Sequence, residues 1–209
     1  MTPFTVRAQN IGKTFNRKVI FQDVSFELGR GASLAITGRN GSGKSTLVKI
    51  VAGVLSPTKG TLLIENEGHP MEESRRKEHL GLVSPYLQLY DEFTASENIE
   101  ILSRIRGIKR PDPERVQSLL SLFALWERRD DELRVFSSGM KQRLKYVFAL
   151  VHMPTLLILD EPTANLDAEG VSAVKQVVRE QKGEGIVIVA TNEADEAKWC
   201  DNALHLGQD

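Results

Sequence analysis

Two short stretches carry residues that can do phosphate chemistry. In Gly38-Arg39-Asn40-Gly41-Ser42-Gly43-Lys44-Ser45-Thr46 the spacing G-x-x-x-x-G-K-[ST] is met in full, between the apolar run Ala32 to Thr37 and the helix-like Leu47 to Ala52. Glycines at these positions let successive backbone N–H groups converge, and a helix starting behind them adds the positive end of its dipole. That is a cradle for a polyphosphate. Lys44 is placed to neutralise the terminal phosphates, and the Ser45 hydroxyl to ligate a magnesium ion bridging them. The second stretch, Leu156-Leu157-Ile158-Leu159-Asp160-Glu161, is an apolar strand ending in two carboxylates, and in a parallel sheet that end is where ligands bind. There Asp160 would hold the magnesium directly or through water, and Glu161 would polarise a water for in-line attack on the terminal phosphorus. A plain glycine-rich turn and an acidic helix cap are the alternatives. The complete motif in its strand and helix context, with both stretches in one chain, argues against them.

A sheet must hold these groups. Phe4 to Gln9 and Val19 to Leu28 alternate as strands do and flank Gly12 to Arg17, which reads as two antiparallel strands ahead of the core. Phe15 lies between them, either to stack on a nucleotide base or to pack under the turn. Thr61 to Ile64 and Leu80 to Ser84 read as further strands, with a turn at Ser56 to Gly60 and a charged helical connector at Met71 to His79. In the middle third, Thr94-x-x-Glu97 is a capping box for a helix reaching Arg106 and closed by Gly107. Asp112-Pro113 starts another, whose Val116, Leu119, Leu120 and Phe123 share a face. The last third alternates: helix Ser138 to His152, strand Leu156 to Leu159, helix Ala168 to Gln181, strand Ile186 to Ala190, helix Glu193 to Trp199, strand Ala203 to Leu206. Such alternation implies parallel strands with helices on both faces. The expected fold is α/β: a P-loop NTPase (RecA-like) core with a mostly parallel sheet, an N-terminal antiparallel β subdomain and a helical insert. One domain over residues 1–209 is expected, with its core at 1–84 and 154–209 and the helical part at about 85–153.

With 41% hydrophobic and 26% charged residues and a net charge of -1, the chain has no basic field to attract nucleic acid, and none is expected as a partner. The single Cys200 cannot form an internal disulfide and reads as an inert thiol of a reducing compartment. Nothing in Met1 to Gln9 resembles a signal peptide, and the longest apolar runs are too short to span a membrane. A membrane, where one matters, lies beside this chain. Between Pro85 and Phe93, however, Tyr86, Leu87, Leu89, Tyr90 and Phe93 bring large apolar groups to a loop, which suggests a contact surface.

Phe136-Ser137-Ser138-Gly139-Met140-Lys141-Gln142-Arg143 resembles the signature motif of ATP-binding cassette (ABC) proteins, with Ser138 for its first glycine and Phe136 for its leading leucine. Glu161-Pro162-Thr163-Ala164-Asn165-Leu166-Asp167 resembles the family's link from the catalytic glutamate to a dimer-contacting loop, and the likeness covers nearly the whole chain in order and spacing. The resemblance implies an ATPase using ATP and Mg2+, in a head-to-tail dimer with a second copy or a paralogous subunit. Each ATP would sit between one subunit's loop, Gly38, Asn40, Gly41, Ser42, Gly43, Lys44, Ser45 and Thr46, and the other's Ser137, Ser138 and Gly139, with Asp167 closing the contacting loop. Phe15 would stack on adenine. An integral membrane permease subunit would dock near Pro85 to Phe93, keeping the chain peripheral on the cytoplasmic face of the cell membrane. The length resembles that of short exporter subunits, for example of haem-exporter type. A soluble nucleotide-dependent dimer switch of the same fold is the alternative.

Two positions depart from the family pattern. Asn192 stands where a histidine normally holds the terminal phosphate and the attacking water; an amide donates and accepts hydrogen bonds but carries no positive charge, so slow turnover is expected. The glutamine that usually faces the magnesium falls on Pro85, with Gln88 three residues later as its nearest substitute. A small GTPase is disfavoured because Asn192-Glu193-Ala194-Asp195 lacks the lysine of a guanine-reading N-K-x-D, and no arginine-rich lid of a nucleoside kinase is evident.

Overall fold

The computed structural model describes residues 3–207. In chain order the strands are β1 (Phe4–Phe15), β2 (Lys18–Gly29), β3 (Ser33–Thr37), β4 (Lys59–Asn66), β5 (His69–Pro70), β6 (Leu80–Val83), β7 (Leu156–Asp160), β8 (Ile186–Thr191) and β9 (Asn202–His205). The helices are α1 (Lys44–Val51), α2 (Glu73–His79), α3 (Ala95–Arg106), α4 (Pro113–Leu122), α5 (Ser138–Leu150), α6 (Ala168–Glu184) and α7 (Ala194–Ala197). An antiparallel sheet has the order β2-β1-β4-β5, and a parallel one the order β6-β7-β8-β3-β9. The α/β reading is therefore correct, with both sheets as expected.

Alternation along the parallel strands divides the core into two layers. Leu156, Ile158, Ile186, Ile188 and Ala190 face α1 and the antiparallel sheet, where Leu47, Val51, Phe4, Val6 and Ile11 complete the cluster. Leu157, Leu159, Val187 and Val189 face the other way, onto Ile99, Leu120, Leu144 and Val174 of α3, α4, α5 and α6. So α1 and α5 pack on opposite faces of one sheet. The capping box is present, with Thr94 N–H donating to Glu97 Oε2 at 2.8 Å and Glu97 N–H to Thr94 Oγ1 at 3.1 Å. Asp112 caps α4 through the Glu114 N–H at 3.1 Å. Among the described residues, no helix is long and apolar enough to cross a membrane.

Three elements differ from the sequence expectation. β1 runs on to Phe15, because Asn10 takes a left-handed conformation (φ 49°) at a register shift and lets the strand bend instead of stopping. Phe15 then pairs with Lys18 across a two-residue turn, Asn16 and Arg17, both at positive φ as a mirror-type hairpin requires. Phe15 thus belongs to a ladder and not to a loop. β5 has two residues, too few to alternate visibly, and the helix expected from Glu193 to Trp199 contracts to α7.

Candidate nucleotide site

The phosphate loop runs from the end of β3 to α1. Gly43 is the N-cap of α1 at φ 102°, and no side chain caps this helix, whereas Thr94, Asp112, Ser137 and Asp167 cap α3, α4, α5 and α6. The first-turn N–H groups of α1 are therefore left for a ligand, and an anion suits them. Glycine is required at position 43 for a second reason: a Cβ there would lie 2.6 Å from Ile20 Cγ2 and 2.8 Å from Phe21 Cδ1 of β2. The N-terminal hairpin thus packs directly on the loop. Lys44 is buried, and its ammonium donates to the Gly38 and Arg39 carbonyls at 2.8 and 3.2 Å. One of its three N–H groups remains for a phosphate oxygen.

β7 delivers Asp160 beside this loop. Ser45 Oγ donates to Asp160 Oδ1 at 3.1 Å, while Oδ2 is buried without a partner. Burial pushes this carboxylate's pKa up, as does the charge of Glu161; the Ser45 hydrogen bond, Lys49 and Lys44 pull it back. A hydroxyl beside a carboxylate with an unsatisfied buried oxygen is a hard-oxygen donor set of the kind magnesium takes, so the residues fit that ion. Glu161 follows at φ 52°, a left-handed backbone rare outside glycine, and its N–H is fixed on the Ala190 carbonyl at 2.9 Å. The strained turn fixes the backbone from which the Glu161 side chain leaves the strand end. Thr191 is buried at the end of β8, and Asn192 follows it, exposed. Asn192 lines a concavity with Gly38, Arg39, Asn40 and His205.

α5 ties the other candidate residues together. Ser137 caps it by accepting from Met140 N–H at 3.2 Å, which leaves the exposed hydroxyl free to donate to an anion. Ser138 is the exposed first residue of the helix, and a Cβ on Gly139 would meet the Asn165 carbonyl at 2.8 Å. The helix start is thereby pressed against the segment that follows Glu161. Arg143 reinforces this contact from the next turn, donating to Asp167 and to Glu169. Asp167 also caps α6 through the Gly170 N–H at 2.9 Å, which, with Arg143, holds its carboxyl below the usual range. Tyr146 is fully buried; its hydroxyl donates to the Pro162 carbonyl at 2.6 Å, and burial keeps it protonated.

A family model described as ABC transporter matches residues 21–164, from the hairpin under the phosphate loop to the turn after Glu161. The chain belongs to the ABC transporter family. The linearmycin resistance ATP-binding protein of Bacillus subtilis is 31% identical over 188 residues, which is 90% of this chain and 60% of that protein. The lantibiotic transport ATP-binding protein of Streptococcus pyogenes is 30% identical over 187 residues, 90% of this chain and 79% of that one. A solved ATP-binding subunit of an ABC transporter matches with a TM-score of 0.83 at 27% identity, covering 96% of this chain and 85% of that chain. The cassette MJ0796, a dimer in a post-hydrolysis state bound to ADP and Pi, gives 0.84 at 23% identity over 96% of this chain and 94% of that one, a likeness of fold. Membership makes this ABC chain an ATP-binding, ATP-hydrolysing domain of the kind that powers a transporter.

Within one ABC chain the expected residues fall into separate groups. The loop, Ser45 and Asp160 meet; Ser137, Ser138 and Gly139 start a helix on the other face of the sheet. Phe15 stands exposed at the hairpin tip. Gln88 is exposed and bonds to neither Ser45 nor Asp160. Four neighbours of the site have no role of their own in the sequence reading. Asn98, buried, organises the apolar loop by accepting from Tyr90 N–H at 2.8 Å and donating to the Tyr90 and Thr94 carbonyls at 2.9 and 3.0 Å. Arg143 and Tyr146 support the segment after Glu161. His205 Nδ1 sits 3.2 Å from Thr37 Oγ1 in the concavity of Asn192. Only the strand register, which pairs Thr37 with His205, brings that histidine to the loop.

Proposed function

We propose that residues 1–209 act as a single ATP-binding domain in one half of a head-to-tail pair, with a second copy or a paralogous subunit. Each ATP is held by the loop Gly38 to Thr46 of one subunit and capped by Ser137, Ser138 and Gly139 of the other. The observation that carries this reading is the separation of α1 and α5 by the parallel sheet: both helix starts suit a phosphate, and the two helices pack on opposite faces of the sheet in one chain. Ser45 and Asp160 would hold magnesium, which would supply positive charge to neutralise the terminal phosphates. Glu161 accepts the proton of the attacking water, Lys44 binds terminal phosphate oxygens, and Asn192 donates a hydrogen bond there without a positive charge. Phe15 stacks on the base.

The partner is a separate permease subunit that keeps this domain at the cytoplasmic face of the membrane, docking near Pro85 to Phe93. Tyr86, Tyr90 and Phe93 are exposed there, and the loop is fastened to α5 by Lys141 on Asp91 at 2.6 Å and by Lys145 on the Ser84 and Pro85 carbonyls. Movement of that loop therefore reaches the helix that begins at Ser137. Asn192 also favours a second reading, a nucleotide-dependent dimer switch with slow hydrolysis. Glu161→Gln in saturating Mg-ATP tests the pairing by light scattering: a stable dimer is expected, and a monomer that binds ATP normally would reject the sandwich.

A further inference from the structure

We propose that Lys13 is a positioning residue for the nucleotide base, acting through the Phe15 ring; this rests on the reading of Phe15 as the residue that stacks on the base. Lys13 and Phe15 are two apart on β1 and share a face of the strand. The Lys13 ammonium lies 4.8 Å from the Phe15 ring centroid and donates to the Ser56 carbonyl at 2.8 Å. It is pinned between the ring and the turn before β4, and the Thr14 N–H fastens the same strand end to Thr58 Oγ1 at 3.1 Å. An aromatic side chain at a hairpin tip, 44% exposed, has little other packing to fix its rotamer. The cation is attracted to one face of the ring, and the base would stack on the other.

The hairpin that carries Phe15 at its tip is packed on the phosphate loop. The β2 side of the same hairpin rests on Gly43, and a groove lined by Lys18, Val19, Gly41 and Ser42 runs between hairpin and loop. A purine joined to a triphosphate seated in the loop meets a ring already oriented, so less ordering is needed on binding. A merely structural lysine would behave differently. It would fasten β1 to the Ser56 turn and, when removed, loosen every ligand of the loop alike.

The test measures binding of Mg-ATP and of Mg-tripolyphosphate, which has the phosphates and no base, to the whole chain by calorimetry. Lys13→Met is expected to weaken ATP about two- to fivefold and to leave tripolyphosphate unchanged. Lys13→Arg should retain ATP affinity, and Lys13→Met should add nothing in a Phe15→Ala background. Equal weakening of both ligands, or no change for ATP while Phe15→Ala weakens it, would overturn the role of Lys13. If Phe15→Ala itself leaves ATP binding intact, the stacking reading fails and the Lys13 proposal falls with it.

Discussion

Asp160→Asn should make the nucleotide-free protein more stable while disabling it. Asp160 is 1% exposed; one oxygen accepts from Ser45 at 3.1 Å and the other has no partner. Of the two lysines that act on it, Lys49 and Lys44, the second is engaged with the Gly38 and Arg39 carbonyls. A buried carboxylate so weakly compensated carries a penalty of several kcal/mol, from which a charged hydrogen bond returns about 1.5–3 kcal/mol. Asparagine removes the charge but leaves an amide N–H without an acceptor, at about 1–3 kcal/mol. The balance is a gain of about 1 kcal/mol, or ~2–4 °C in Tm for a chain of this size. Because the folded-state pKa is raised, the group's contribution to stability is present below the ordinary carboxylate range and is lost as pH rises through the folded value. The advantage of the variant over the parent should therefore vanish at acid pH and be full at pH ~7.5. The assay is thermal unfolding across pH with and without Mg-ATP. With nucleotide the order should invert, since the parent gains about 2.7 kcal/mol at a hundredfold excess over Kd and the variant does not. A variant that melts below the parent without nucleotide at neutral pH would refute the reasoning.

Three further outcomes follow from the same geometry. Tyr146→Phe leaves the Pro162 carbonyl without its donor and should lower Tm by about 2–6 °C, with turnover falling more than KM rises because the turn carrying Glu161 loosens; steady-state ATPase assays and melting curves read both. Asn192→His restores a group able to carry positive charge in the concavity of Gly38 and His205, and should raise kcat for ATP; an unchanged or lower kcat would reject a catalytic role for that position. Burial pushes the Cys200 thiol to about 11, so at neutral pH it should resist an alkylating reagent in the folded protein and react once the chain is unfolded, read by mass spectrometry.

The parts of the site that could be read from the sequence are those in which chemistry is local. The spacing from Gly38 to Thr46 fixes a loop whose conformation depends on its own glycines, and the apolar run before Asp160 fixes a buried parallel strand. Caps at Thr94 and Asp112 were legible for the same reason, since each joins residues two or three apart. Contacts between distant segments were not. His205 reaches the loop only through the pairing of β9 with β3, and Arg143 meets Asp167 only because α5 and α6 converge below the Glu161 turn. Phe15 was placed in a loop because a bulge at Asn10 breaks the alternation that marks a strand. The likeness to ABC proteins named Ser137, Ser138 and Gly139, whereas the packing of α1 and α5 on opposite faces of the sheet is visible only in the structure.

Mixing two inactive variants tests the composite site most directly. Ser137→Arg blocks the capping half and leaves the loop and Glu161 intact, and Glu161→Gln removes the base and leaves the capping half intact. Each variant alone should hydrolyse ATP at a small fraction of the unsubstituted rate. Mixed in equal amounts, about half of the pairs are hybrids with one complete site each, so about a quarter of the unsubstituted rate should return. A mixture as inactive as its components, in pairs shown by sizing to have exchanged subunits, would contradict a site built from two copies.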